Sequence, residues 1–175
     1  MLAILMNKYP EIMGIIKRKL KDICREAERR YNAPAGSYWY RFFRPDDNGL
    51  GGTTKVWKAT YTTGAEENFL ALGSAITVPD GNGYAIFGWY VDADMGDAGY
   101  LRIKVQDVIK SEILARVVYE VKNPKHFYTD FDNVIVAWNQ SKLDPIVYNS
   151  FGADQICMAF PIMFRIATKA ALNLE

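Results

Sequence analysis

Three aspartates in a glycine-containing loop are the residues best spaced for chemistry. Asp92, Asp94 and Asp97 stand at i, i+2 and i+5 in DADMGDAG. Carboxylates placed this way around a turn can converge on one hard cation, calcium above all. Calcium takes roughly six to eight oxygens, however, and three side chains supply only part of that set. Aspartate and glycine are equally the residues of any tight loop between strands. The single histidine, His126, precedes Asp130 and Asp132 closely. An imidazole oriented by a carboxylate can serve a serine nucleophile as base. No Gly-x-Ser-x-Gly turn marks such a serine, and one imidazole excludes any metal site built on two or three.

Other candidates are less specific. Glu66, Glu67, Glu112, Glu120, Asp130 and Asp132 offer carboxylate pairs for glycoside chemistry, which depends on a distance in space that no spacing in sequence supplies. Gly49 to Thr53 (GLGGT) lacks the lysine of a phosphate-binding loop. Cys24 and Cys157 lie in apolar stretches and read as small buried hydrophobes, too few for a disulfide framework or a four-cysteine metal site. Trp39, Trp57, Trp89 and Trp138 could present flat faces to sugar rings, yet each sits in a strand-like pattern where core packing is the default. With no catalytic set marked, the expectation is a non-enzyme whose one conceivable inorganic ligand is calcium at Asp92, Asp94 and Asp97.

The elements that would carry these residues follow from periodicity. From about residue 10 to 31, Met13, Ile16, Leu20, Ile23 and Ala27 recur at spacings of three and four, the stripe of an amphipathic helix. Pro10 suits its first turn, and Asn32, Pro34 and Gly36 stop it. Lys17, Arg18, Lys19, Lys21, Arg25, Arg29 and Arg30 make the segment basic: from Lys8 to Arg30 there are eight basic residues against four acidic, in a chain of formal net charge +1. A basic amphipathic helix on a mildly acidic body suits contact with nucleic acid, an anionic membrane surface or an acidic neighbour. The apolar stripe packs either on this domain's own body or on another subunit.

After Gly36 the period changes to two. Strands are predicted at Ser37 to Phe43, Lys55 to Thr62, Ala75 to Val78, Tyr84 to Val91, Tyr100 to Val105, Val108 to Ile113, Val117 to Val121, Val134 to Trp138, Pro145 to Tyr148 and Ile156 to Ile166. A short helix is expected at Glu66 to Leu72 and a hairpin turn at Gln106-Asp107. Eleven Tyr, nine Phe and four Trp in 175 residues favour sheet packing. Short strands with regular turn signals predict an all-β fold, an antiparallel β-sandwich preceded by the amphipathic α-helix, with a helical arm and linker at 1–36 and the sandwich at 37–175. The apolar run Leu2 to Met6 is far below the roughly 20 residues a bilayer needs and makes a poor signal peptide, so neither a transmembrane span nor secretion is expected.

A basic N-terminal helix (KRKLKDICREAERR), a loop, then about eight strands that include GYLRIKV, NVIVAW, PIVYN and PIMFRIA: this organisation resembles a virion protein of the single jelly-roll type. The resemblance spans roughly residues 37 to 170. It implies a homo-oligomeric capsid subunit whose sandwich forms a shell and whose N-terminal helix meets neighbours, other virion proteins, membrane or genome. Self-association is then expected through the helix stripe and the doubly aromatic strand with Tyr38, Tyr40 and Phe42, which carries more apolar surface than one face of a sheet buries. The alternative is a carbohydrate- or ligand-binding β-sandwich using Trp89 or Trp138.

Overall fold

The computed structural model describes residues 10–44, 47, 59–68, 75–91, 99–118 and 127–174. Helix α1 (Pro10–Arg30) opens with Pro10 and Glu11 and closes with Arg29 and Arg30, charges that oppose the helix dipole at each end. Its stop is a Schellman motif. Asn32 takes a left-handed φ of 49°, Ala33 N–H donates to the Glu28 carbonyl at 2.9 Å, and Asn32 N–H donates to that of Arg29 at 3.4 Å.

Twelve strands follow among the described residues: β1 (Tyr38–Phe42), β2 (Ala59–Tyr61), β3 (Glu66–Asn68), β4 (Ile76–Thr77), β5 (Gly83–Val91), β6 (Tyr100–Val105), β7 (Val108–Leu114), β8 (Phe127–Thr129), β9 (Ile135–Trp138), β10 (Lys142–Tyr148), β11 (Gln155–Cys157) and β12 (Ala159–Thr168). One sheet runs β1-β12-β5-β8, with β9 also on the edge of β5. The other runs β3-β10-β6-β7, with β4 also on β10, and β11 pairs with β2. All these strand pairings are antiparallel. Since β3 and β4 share one edge, and β8 and β9 another, the two main sheets hold eight strand positions. In chain order these run 1-8-3-6 in the first sheet and 2-7-4-5 in the second. That is the order of a jelly roll, two interlocked Greek keys.

The sandwich has a third layer. Met13, Ile16, Leu20, Ile23, Cys24 and Ala27 are buried against Tyr38, Ala85, Phe87, Ile162, Phe164 and Ile166 of the first sheet. The opposite face of that sheet packs Tyr84, Ile86, Trp89 and Met163 against Leu101, Ile103, Leu143 and Val147 of the second. Covered on both sides, β5 and β12 are near-continuous apolar runs instead of alternating ones. A register shift between Pro161 and Met163 places the extra residue on β5. This reverses the alternation there, so that Trp89 and Val91 join Tyr84 and Ile86 in the inter-sheet core.

The stripe of α1, expected on either this domain's own body or another subunit and expected to serve self-association, finds apolar cover on β1, β5 and β12. Several expectations are corrected. Glu66–Asn68 is strand β3 rather than the start of a helix, since its backbone completes the open edge of β10 at Ile146 to Tyr148. The strand expected at Val117 to Val121 is not formed by its described part: residues 115–118 are helical. Helical spacing carries Ala115 and Val118 together into the inter-sheet core. Ile156 to Ile166 is two strands, β11 and β12, on different partners. The β6–β7 turn is as expected, with Gln106 and Asp107 both left-handed at φ 51° and 61°, the two-residue hairpin that matches strand twist.

Candidate self-association surfaces

The five stripe residues expected to meet another subunit, Met13, Ile16, Leu20, Ile23 and Ala27, are taken up by the chain's own sheet. Tyr38 is buried with them, and Tyr40 and Phe42 are half-buried against the same layer. One face of the doubly aromatic strand is covered by α1; on the other, Trp39 stays exposed and Phe43, just past the strand, joins the inter-sheet core. By contrast Lys17, Arg18, Lys19, Lys21, Arg25, Arg29 and Arg30 are all exposed. Arg25 pairs with Asp22 at 3.2 Å and Arg30 with Glu26 at 3.6 Å. Lys17, Arg18, Lys19 and Lys21 have no ion-pair partner among the described residues. This half of the helix presents unneutralised positive charge.

Apart from Trp39 on β1, the large apolar side chains left in solvent among the described residues lie on β7 and around β11. On β7, Val108 is 54% exposed, Ile109 51% and Leu114 60%. Past the end of β10, where β2 and β11 pair, Ile156 is 55% exposed and Phe151 46%. Phe151 is held there by the chain: its N–H donates to Asn149 Oδ1 at 3.0 Å and its carbonyl accepts from the Thr63 hydroxyl. Asn149 is itself buried and donates to the carbonyls of Tyr61 and Ala153. Both patches are thus presented by well-bonded elements.

The outer face of the second sheet is a paired polar surface. Arg102 donates to Glu112 at 2.7 Å and to Glu66 at 2.7 Å, and lies over the Tyr100 ring at 4.4 Å. Tyr100 stacks on Tyr148 at 4.7 Å, and its hydroxyl donates to Glu66. That hydrogen bond, with Arg102 and Lys104 beside it, holds the Glu66 carboxyl below its ordinary pKa against a smaller opposing effect of burial. A glycosidase acid needs the opposite shift. Asp144 is pushed up, by burial, but sits on this face among lysines and not in a cleft. Glu67 accepts from Thr62 N–H at 2.6 Å, so it too has a structural partner.

A further ionic cluster closes the end of the inter-sheet core. Arg41 and Arg165 stand opposite each other across β1 and β12, with Tyr84 next in line on β5. One buried carboxylate, Asp47, accepts from Arg41 at 2.9 Å and from Arg44 N–H at 2.7 Å, and lies 3.8 Å from Arg165. Arg165 also donates to Asn82 at 2.8 Å. Burial raises the pKa of the Tyr84 phenol, whose hydroxyl has no hydrogen-bond partner among the described residues.

Asp92, Asp94 and Asp97 lie outside the described residues, as do His126, Trp57 and Glu120. Among the described residues no group of three His, Cys, Asp or Glu side chains could hold a metal. Cys24 is buried in the helix layer, and burial pushes its thiol up to about 12, the state of an unreactive cysteine; the side chain of Cys157 is not among those described. Trp89 is in the core, Trp138 lies under Arg30 at 4.9 Å, and exposed Trp39 is capped by Lys169 at 4.4 Å. Sequence reasoning missed the two apolar patches and the Asp47 cluster. Adjacent Val108 and Ile109 were the available signal, since neighbouring strand residues cannot both face inward.

No family model matches the chain, and no curated protein matches it. Among the described residues no helix is long and apolar enough to cross a membrane.

Proposed function

We propose that the chain is a self-assembling structural subunit, a virion shell protein of the single jelly-roll type, and that it is not an enzyme. The observation that carries this reading is two groups of exposed apolar side chains, Val108, Ile109 and Leu114 on edge strand β7 and Phe151 and Ile156 around β11. Contiguous exposed apolar surface marks association. A contact of one group with the other group of a neighbouring copy is heterologous, and such contacts propagate into rings or lattices instead of stopping at a dimer. The jelly-roll strand order agrees with the proposal, although folds are shared by unrelated functions. The basic half of α1, with Lys17, Arg18, Lys19 and Lys21 unpaired, suits an anionic partner within the particle: genome, membrane surface or another virion protein.

The test is size-exclusion chromatography with light scattering and negative-stain electron microscopy of the purified chain. Rings, sheets or shells are expected, and a monomer independent of concentration overturns the reading. Ile109→Lys with Leu114→Lys, or Phe151→Ser with Ile156→Lys, should each abolish extended assembly. Mixing the two variants should restore one intact contact and yield heterodimers. Homodimers of either variant alone would instead mean a two-fold contact.

A further inference from the structure

A cavity of about 500 Å³ opens between the two sheets on the side where β7 and β9 form their edges. Its floor is apolar, with Ile86 and Trp89 from β5 and Ile103 from β6, and its rim is polar, with Lys110 and Ser111 from β7 facing Asp132 and Asn133 from the β8–β9 connection. The Asp130 carboxylate is turned back on its own loop, accepting from Asp132 N–H at 3.2 Å, Asn133 N–H at 3.0 Å and the Asn133 amide at 3.1 Å. It fixes the loop and leaves the neighbouring groups to face the opening.

Lys110 and Asp132 carry opposite charges on the same rim, yet neither has an ion-pair partner among the described residues. One offers only donors and the other only acceptors. A carboxylate ligand would satisfy Lys110 and repel Asp132, a cationic ligand would do the reverse, and a zwitterion meets both only where its two charges match the separation of the two residues. Hydroxyl groups both donate and accept, so a neutral polyol meets both residues without a charge penalty, and Ser111 and the Asn133 carbonyl oxygen accommodate the same chemistry. The floor adds another unmet group. Trp89 Nε1–H is buried with no hydrogen-bond partner among the described residues, a donor for a ligand oxygen reaching that depth. The volume falls in the range of small-ligand sites.

We infer that this inter-sheet cavity is a binding site for a small neutral saccharide, a mono- or disaccharide held at its rim by Lys110, Ser111, Asp132 and Asn133. Lys110 and Ser111 stand on β7 between Ile109 and Leu114, so the titration is run on the Phe151→Ser, Ile156→Lys variant beside the parent, which separates a failure of the site from its cover by assembly.

Glucose, galactose, N-acetylglucosamine and trehalose, each up to about 10 mM, are titrated against the intact chain by tryptophan fluorescence and saturation-transfer NMR, with decanoate as the anionic apolar comparison. Saturable binding of at least one sugar is expected. Lys110→Ala and Asp132→Ala, both exposed positions, should each weaken it about tenfold with unchanged thermal unfolding. The proposal is overturned if none of the four sugars binds, if decanoate alone binds, or if both variants bind sugar within about twofold of the parent.

Discussion

Replacing Leu20 by Ala is expected to lower the free energy of unfolding by about 2–5 kcal/mol, and Leu20→Asp to leave no stable fold. Leu20 is fully buried at the centre of the α1 stripe, among residues packed on Phe87, Phe164 and Ile166. Truncation removes the transfer free energy of the lost atoms and leaves a cavity, because helix and sheet relax only partly. A carboxylate there has no partner and must be desolvated or protonated. Denaturant unfolding followed by circular dichroism checks both, with exposed Lys19→Ala as a control expected within about 0.5 kcal/mol of the parent. Protein concentration separates an internal layer from a contact between subunits. An internal layer predicts the same loss at every concentration, whereas a contact between copies ties stability to mass action. A Leu20→Ala loss below about 1 kcal/mol, or one that disappears on dilution, would show that the helix does not cover its own sheet.

Asp47→Asn is the second large effect, expected to cost about 3–5 kcal/mol, the range for removing one member of a buried ion pair. Asp47 is 5% exposed, and the side chains of Arg41 and Arg165 only 13% and 14%. Without the carboxylate, two guanidinium groups face each other across β1 and β12 with no anion between them among the described residues. A double-mutant cycle with Arg41→Met isolates the pair. The double variant should regain a substantial part of the loss, because removing both charges removes the desolvation penalty as well. Additive losses, or an Asp47→Asn variant within about 1 kcal/mol of the parent, would mean that solvent already screens the cluster.

These two sites differ in how far their primary structure announces them. The spacing of Met13, Ile16, Leu20, Ile23 and Ala27 announces a helix with one buried face, and the aromatic strand at Tyr38 to Phe42 announces apolar cover. That one is the cover of the other follows only from the folded chain. Arg41, Asp47 and Arg165 carry no local signal, since the first and last are 124 positions apart and meet only because β1 pairs with β12. The exposed apolar groups are similar: Ile109 and Ile156 read as ordinary strand residues, and their exposure follows from the places of β7 and β11 in the fold. Residues 66–68 and 117–118, the described parts of the helix expected at Glu66 to Leu72 and the strand expected at Val117 to Val121, differ from expectation because short segments take the conformation that their neighbours' hydrogen bonds and core contacts impose, over weak intrinsic preference.

The amino-acid order alone determined the helix and its basic face, the change to period two after Gly36, the hairpin at Gln106-Asp107 and the all-β class. Each depends on residues within one or two turns of one another, and solvent sorts polar from apolar side chains at that range. Only the tertiary structure decided which strand pairs with which, that the helix stripe is spent inside the chain, and that Lys110 meets Asp132 across one cavity. Antiparallel pairing is chosen by the burial of whole faces and by hydrogen bonds between distant segments, and no local pattern encodes a partner so far away.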